Sequence, residues 1–128
     1  MRLRWISTLV LVSLSGCSLF SDGQKYSVYF ENNATELNPQ GNETILAAAN
    51  FAQAHPMRPV AVAGFSGLPG PGQNVDGLSA RRAEVVKQLL VADGVSPGRI
   101  TTSANGMVDP KTLPDVAVRR VDISVGQP

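Results

Sequence analysis

Residues 74–90 constrain the fold most. They form one charged and apolar stretch that follows a glycine- and proline-rich run. At about 100° per residue, Leu78, Val85, Val86, Leu89 and Leu90 fall at about 0°, 340°, 80°, 20° and 120°, which makes a single apolar stripe on a helix. Arg82 falls at about 40°, inside that stripe, and Arg81 at about 300°, on its edge. A guanidinium in an apolar stripe is costly unless it is paired or escapes along its alkyl stem. Two readings stay open for Arg82. It caps a neighbouring carbonyl, or it holds an anion.

A helix of this kind needs an apolar layer to lie on, and the rest of the chain supplies one. Tyr26 to Phe30 is a β-branched and aromatic run, the first strand. Asn38 and Pro39 are a helix cap and a first-turn proline. Ile45, Ala48, Ala49 and Ala52 then fall on one helical face, and His55-Pro56 ends that helix. Val60 to Phe65 is a nearly continuous apolar strand. The stripe helix runs from about Asp76 to Asp93, with Gly94 as terminator. Arg99 to Ala104 is a third strand, residues 105–116 are loop, and Val118 to Val125 is a fourth strand. In that last strand Val121, Ile123 and Val125 share one face, with Arg120 and Asp122 on the other. The order β-α-β-α-β-β with right-handed crossovers implies an α+β, two-layer sandwich: one four-stranded sheet with both helices on one face.

The first residues are of another kind. Met1-Arg2-Leu3-Arg4 is a short basic segment, and Trp5 to Leu14 is an apolar run too short to span a bilayer. It ends in Leu14-Ser15-Gly16-Cys17, which resembles a bacterial lipobox. The competing readings are an ordinary secretory signal and an uncleaved anchor. Under the lipobox reading, residues 1–16 are a signal peptide, Cys17 is the lipidated first residue of the mature chain, and 17–25 is a tether to a domain at 26–126. Cys17 is the only cysteine, so no internal disulfide forms although the chain is exported. Thioether linkage to lipid would consume that lone thiol, and several acyl chains together anchor stably in outer-membrane lipid. By resemblance to lipoprotein sorting rules, Ser18 after the cysteine favours the outer membrane.

Composition narrows function further. Without Arg2 and Arg4, the eleven basic residues fall to nine, against ten acidic ones. That balance gives no reason to expect nucleic acid as a partner. His55 is the single histidine, without a second histidine or cysteine to share a metal, so no metal or cofactor is expected. Ser66 and Ser79 lack a base nearby in sequence, and no carboxylate pair has recognisable spacing, which speaks against an enzyme.

Several segments together resemble the OmpA-like periplasmic domain family, which includes peptidoglycan-associated lipoprotein. Leu78-Ser79-Ala80-Arg81-Arg82-Ala83 matches the family's helix signature. Gly94 to Ile100 matches its turn into the third strand. Asn105 to Pro110 is similar to its glycine-rich loop, and Arg119-Arg120-Val121-Asp122-Ile123 matches its last strand. The resemblance covers about Tyr26 to Val125 and implies a mixed sheet ordered 1-4-2-3. It also implies non-covalent binding of the diaminopimelate residue of the peptidoglycan stem. In that clamp an aspartate after strand two takes the ammonium and the signature arginine takes the carboxylate. The arginine falls on Arg82, with Ser66, Arg119 and Asn74 as accompanying peptidoglycan-binding residues. The aspartate does not carry over. Where the family reads glycine-histidine-threonine-aspartate, this chain reads Gly64-Phe65-Ser66-Gly67. The family's asparagine is also out of register, with Val75 at its position and Asn74 one residue before. Asp76 and Asp109 are candidate substitutes, though no spacing demands either. The implied functions are therefore weak or atypical peptidoglycan contact, or the same scaffold turned to a protein partner in an envelope complex.

Overall fold

The computed structural model describes residues 23–31, 34–68, 77–107, 111 and 118–126. The elements run β1 (Gln24–Tyr29), α1 (Pro39–Ala54), β2 (Val60–Ser66), α2 (Leu78–Ala92), a 3₁₀ turn (Pro97–Arg99), β3 (Ile100–Met107) and β4 (Arg120–Val125). The strands form one sheet in the order β1-β4-β2-β3. β4 lies antiparallel between β1 and β2, and β3 runs parallel to β2 on the far edge. This is the two-layer architecture that the element order implies, and the mixed sheet ordered 1-4-2-3, with the fourth strand inside, that the family resemblance implies. Cys17, Asn74, Asp76 and Asp109 lie outside the described residues.

α1 begins where its sequence places it. The Asn38 side chain accepts from the Gly41 amide at 2.8 Å, and Pro39 occupies the first turn. Ile45, Ala48, Ala49 and Ala52 are fully buried. α2 ends in a Schellman turn. Gly94, at φ 103°, donates to the Val91 carbonyl, and the Val95 amide donates to the Leu90 carbonyl. Leu90 and Val95 both belong to the core, so the turn also joins the helix end to the hydrophobic layer.

Several element ends differ from the sequence reading, among them that of β4, which starts at Arg120 rather than at Val118. β1 starts at Gln24, before the aromatic run, because Gln24 and Lys25 pair with Val125 and Ser124 of β4. β3 extends to Met107, through residues read as loop, because Ser66 of β2 pairs with Met107 past an irregularity in the register. α2 starts at Leu78, and Arg99 sits in the 3₁₀ turn rather than in the strand.

The buried face of α2 is also rotated from the stripe. It consists of Leu78, Ser79, Arg82, Ala83, Val86 and Leu90, with Val85 and Leu89 only half-buried. Gly64 is the cause. A Cβ there would run into the Ser79 carbonyl and come within 3.2 Å of the Ala83 Cβ. The helix lies closest to the sheet where these small residues meet, and this turns Arg82 inward.

Candidate functional site

The C-terminal ends of β1 and β2, the N-terminal end of β4 and the first turns of α2 meet at one end of the sheet. Arg82 lies in their midst and is completely buried. Its Nε donates to the Ala34 carbonyl at 3.0 Å, Nη2 to the Glu31 carbonyl at 2.9 Å, and Nη1 to the Phe65 carbonyl at 3.3 Å. The guanidinium also lies 5.1 Å from the centre of the Phe30 ring, within cation–π range. One side chain thus ties the β1–α1 connector and the end of β2 to the start of α2. The carbonyl-capping half of the sequence expectation is therefore realised, by partners 17 to 51 residues away in sequence.

The bonds to carbonyls do not neutralise the charge. Among the described residues no carboxylate forms an ion pair with Arg82. Burial, then Arg119, then Arg81, lower its pKa from the ordinary arginine value to about 10. Arg82 keeps its proton at neutral pH, so this end of the domain holds a desolvated cation beside two others. The N-cap residue of α2 adds positive character. Gly77, at φ 67°, brings no side chain to cap the first-turn amides.

Arg82, Arg119 and Ser66 come together here. Ser66 is buried directly after Phe65, and the Arg119 carbonyl accepts from the Phe30 amide at 2.9 Å. Gly67, at the place of the family's aspartate, is buried too. Three groups that the sequence did not single out complete the site: the Glu31 and Ala34 carbonyls, and the Phe30 ring. The alternation of Tyr26, Val28 and Phe30 would have placed that ring on the helix side of the sheet. Nothing local marks the two carbonyls.

Ser79, His55 and Arg99 make contacts within the fold. Ser79 Oγ accepts from the Gly106 amide at 3.2 Å. His55 stacks on Phe51, 4.2 Å between ring centres, with Nδ1 2.8 Å from the Phe51 carbonyl oxygen. Arg99 donates to the carbonyls of Ala52, His55 and Arg58, closing the C-terminal end of α1. Among the described residues no three His, Cys, Asp or Glu side chains are placed to hold a metal, and no helix is long and apolar enough to cross a membrane.

The profile of the OmpA family matches residues 29–123. Outer membrane porin F of Pseudomonas fluorescens is 38% identical over 103 residues, covering 77% of this chain and 32% of that protein. The probable lipoprotein YiaD of Escherichia coli K12 is 29% identical over 104 residues, covering 77% of this chain and 48% of that one. The chain thus spans between a third and about a half of the length of the curated relatives it matches. Among solved structures, the peptidoglycan-associated lipoprotein from Burkholderia pseudomallei superposes with a TM-score of 0.66 at 24% identity, covering 80% of this chain and 90% of that one. That likeness shows the shared fold.

Proposed function

The chain belongs to the OmpA family, and from that premise we propose that it is a lipid-anchored outer-membrane protein whose periplasmic domain makes non-covalent contact with peptidoglycan. Cys17 is the lipid attachment site. Arg82 receives the carboxylate at the end of the diaminopimelate side chain, with Ser66, Arg119 and Asn74 around it. The observation that carries this reading is the buried Arg82 guanidinium, which sits beside Arg119 and has no carboxylate counter-ion among the described residues. Three of its five N–H groups hold carbonyls and two remain for an acceptor; because the side chain has no exposed surface, the carboxylate reaches them only when the groups covering Arg82 give way.

The contact is weak. Gly67 offers nothing to the ligand's ammonium, and a charge left without its buried partner costs about 2–5 kcal/mol in comparable interfaces. The same feature favours a second reading, in which the scaffold serves a protein partner in an envelope complex. We propose no enzymatic role for the domain; among the described residues neither Ser66 nor Ser79 meets a base.

Co-sedimentation separates the readings. The full chain in detergent is spun with isolated peptidoglycan, with and without free meso-diaminopimelate, beside Gly67→Asp. Pelleting of the wild type that free diaminopimelate abolishes supports the cell-wall reading. Pelleting by Gly67→Asp alone means that the clamp has decayed and the protein-partner reading holds. If neither chain pellets, the cell-wall reading fails.

A further inference from the structure

On the face of the sheet turned away from the helices, three strands align a row of flat groups. Tyr29 of β1 is in register with Arg120 of β4. Pairing of Gly64 with Val121 brings Phe65 of β2 opposite Arg120 on the other side. The Arg120 guanidinium lies 4.5 Å from the Phe65 ring centre. Its Nε donates to both carboxylate oxygens of Asp122 at 3.1 Å, and Asp122 also accepts from Ser27 Oγ at 2.8 Å. The row is therefore aromatic, guanidinium, aromatic, with the cation neutralised from within the sheet. Tyr29, at its outer end, is 49% exposed.

Beside Tyr29, along the edge of β1, lies a cleft of about 140 Å³ whose lining includes Ser27, Asn38, Gln40 and Thr44. At about 30 Å³ per water, it holds the equivalent of a few waters, enough for part of one sugar ring. Among the described residues, every one lining it is uncharged. Asn38 spends its Oδ1 on the Gly41 amide and keeps its NH₂ group. Thr44 Oγ1 donates to the Gln40 carbonyl and keeps its lone pairs. The alternate backbone groups of β1 also face this edge, where no strand pairs with it among the described residues. A ligand suited to both features has an apolar face for an aromatic ring, a rim of hydroxyl and amide groups, and no charge.

We propose that Tyr29, with the cleft at Ser27, Asn38, Gln40 and Thr44, forms a glycan subsite that takes an N-acetylated hexosamine of the cell-wall strand. The inference rests on the cell-wall reading of the Arg82 end, and the two sites adjoin. The carbonyl of Phe65 accepts from Arg82, and Glu31, another of its acceptors, follows Tyr29 by two residues. A single muramyl peptide could thus lay its sugar on Tyr29 and bring its stem to Arg82.

The test is amide chemical-shift titration of the full chain in detergent micelles, with tri-N-acetylchitotriose as the probe and free meso-diaminopimelate in a separate series. Saturable shifts are expected at Ser27, Tyr29, Gly41 and Arg120. Binding should weaken about tenfold in Tyr29→Ala and survive in Tyr29→Phe, as ring stacking requires. The spectrum of each variant reports its folding directly. No saturable shift, shifts confined to another surface, or unchanged binding in Tyr29→Ala would each overturn the inference. If diaminopimelate leaves the Arg82 signals unmoved while the trisaccharide binds, the stem reading fails and the glycan subsite stands. The reverse pattern removes the subsite alone.

Discussion

Among the described residues Arg82 is the largest fully buried side chain, and it is charged. A methionine of similar length would relieve the desolvated cation but strand the carbonyls of Glu31, Ala34 and Phe65. Hydrogen bonds to a charged donor contribute about 1.5–3 kcal/mol each, and a buried acceptor left unmade costs about 1–3 kcal/mol. Arg82→Met is therefore expected to lose about 3–5 kcal/mol in urea unfolding, with the lost bonds outweighing the relief. A loss below about 1 kcal/mol would mean that water replaces the guanidinium at those carbonyls. The pH dependence follows from the lowered pKa. Between about pH 10 and the ordinary arginine pKa the unfolded chain holds the Arg82 proton and the folded chain releases it, so this residue's contribution to stability rises with pH there. Below about pH 9 both states are protonated, and the stability gap between wild type and Arg82→Met should be flat from about pH 5 to 9. A gap that changes across that range would require a second titrating group coupled to Arg82. The residue itself was legible in the sequence as a cation in an apolar stripe. Its partners were not, because a carbonyl oxygen carries no sequence signature and these three lie on other elements.

At the scale of elements, the periodicities of 2 and 3.6 place both helices and all four strands, because each element buries one face against a single core. Contacts between elements explain where that reading drifts. The Gly64–Ser79–Ala83 approach turns α2 so that Ser79 is buried while Val85 stays half-exposed. A wheel that counts only apolar residues cannot see a close approach that depends on the absence of a side chain. Gly64→Ala is the direct check. Its Cβ would sit 2.9 Å from the Ser79 carbonyl carbon, in backbone rather than in a flexible side chain, so α2 must move off the sheet. Overpacking of this kind costs about 1–3 kcal/mol, read as a lowered melting temperature. Because Arg82 follows Ser79 on the same helix, the displacement should also disturb the amides of Glu31 and Ala34. An unshifted spectrum there would mean that the helix absorbs the methyl locally. Arg99 teaches the same lesson. Read as the first residue of a strand, it instead closes the carbonyl end of α1, and only the packed structure brings those groups together.

Over the whole molecule, the direction of β1 sets how the site is presented. The segment after Cys17 enters the domain at Gln24, the N-terminal end of β1, whereas Arg82 holds the connector beyond Tyr29, at the strand's other end. Six residues at about 3.3 Å each separate the two ends by about 20 Å. An anchor at Cys17 would thus leave the Arg82 end facing away from the membrane that holds it. Two attachments then act together, and the anchor raises the local concentration of a weak wall contact without any new bond. This dependence can be measured in envelope fractions. With an ordinary cleaved secretory signal in place of residues 1–16, Cys17→Ser should release the chain to the soluble periplasmic fraction, because the wall contact alone, lacking an acid at Gly67, does not hold it. Adding Gly67→Asp to Cys17→Ser should return it to the peptidoglycan pellet while leaving it absent from the lipid fraction. Retention of that variant in the membrane would instead show that something other than lipid on Cys17 holds the chain there, and the lipidation assignment would fall. Release of the single variant without recovery in the double variant would leave the anchor intact as an assignment and remove the wall contact, so the two attachments are tested one at a time.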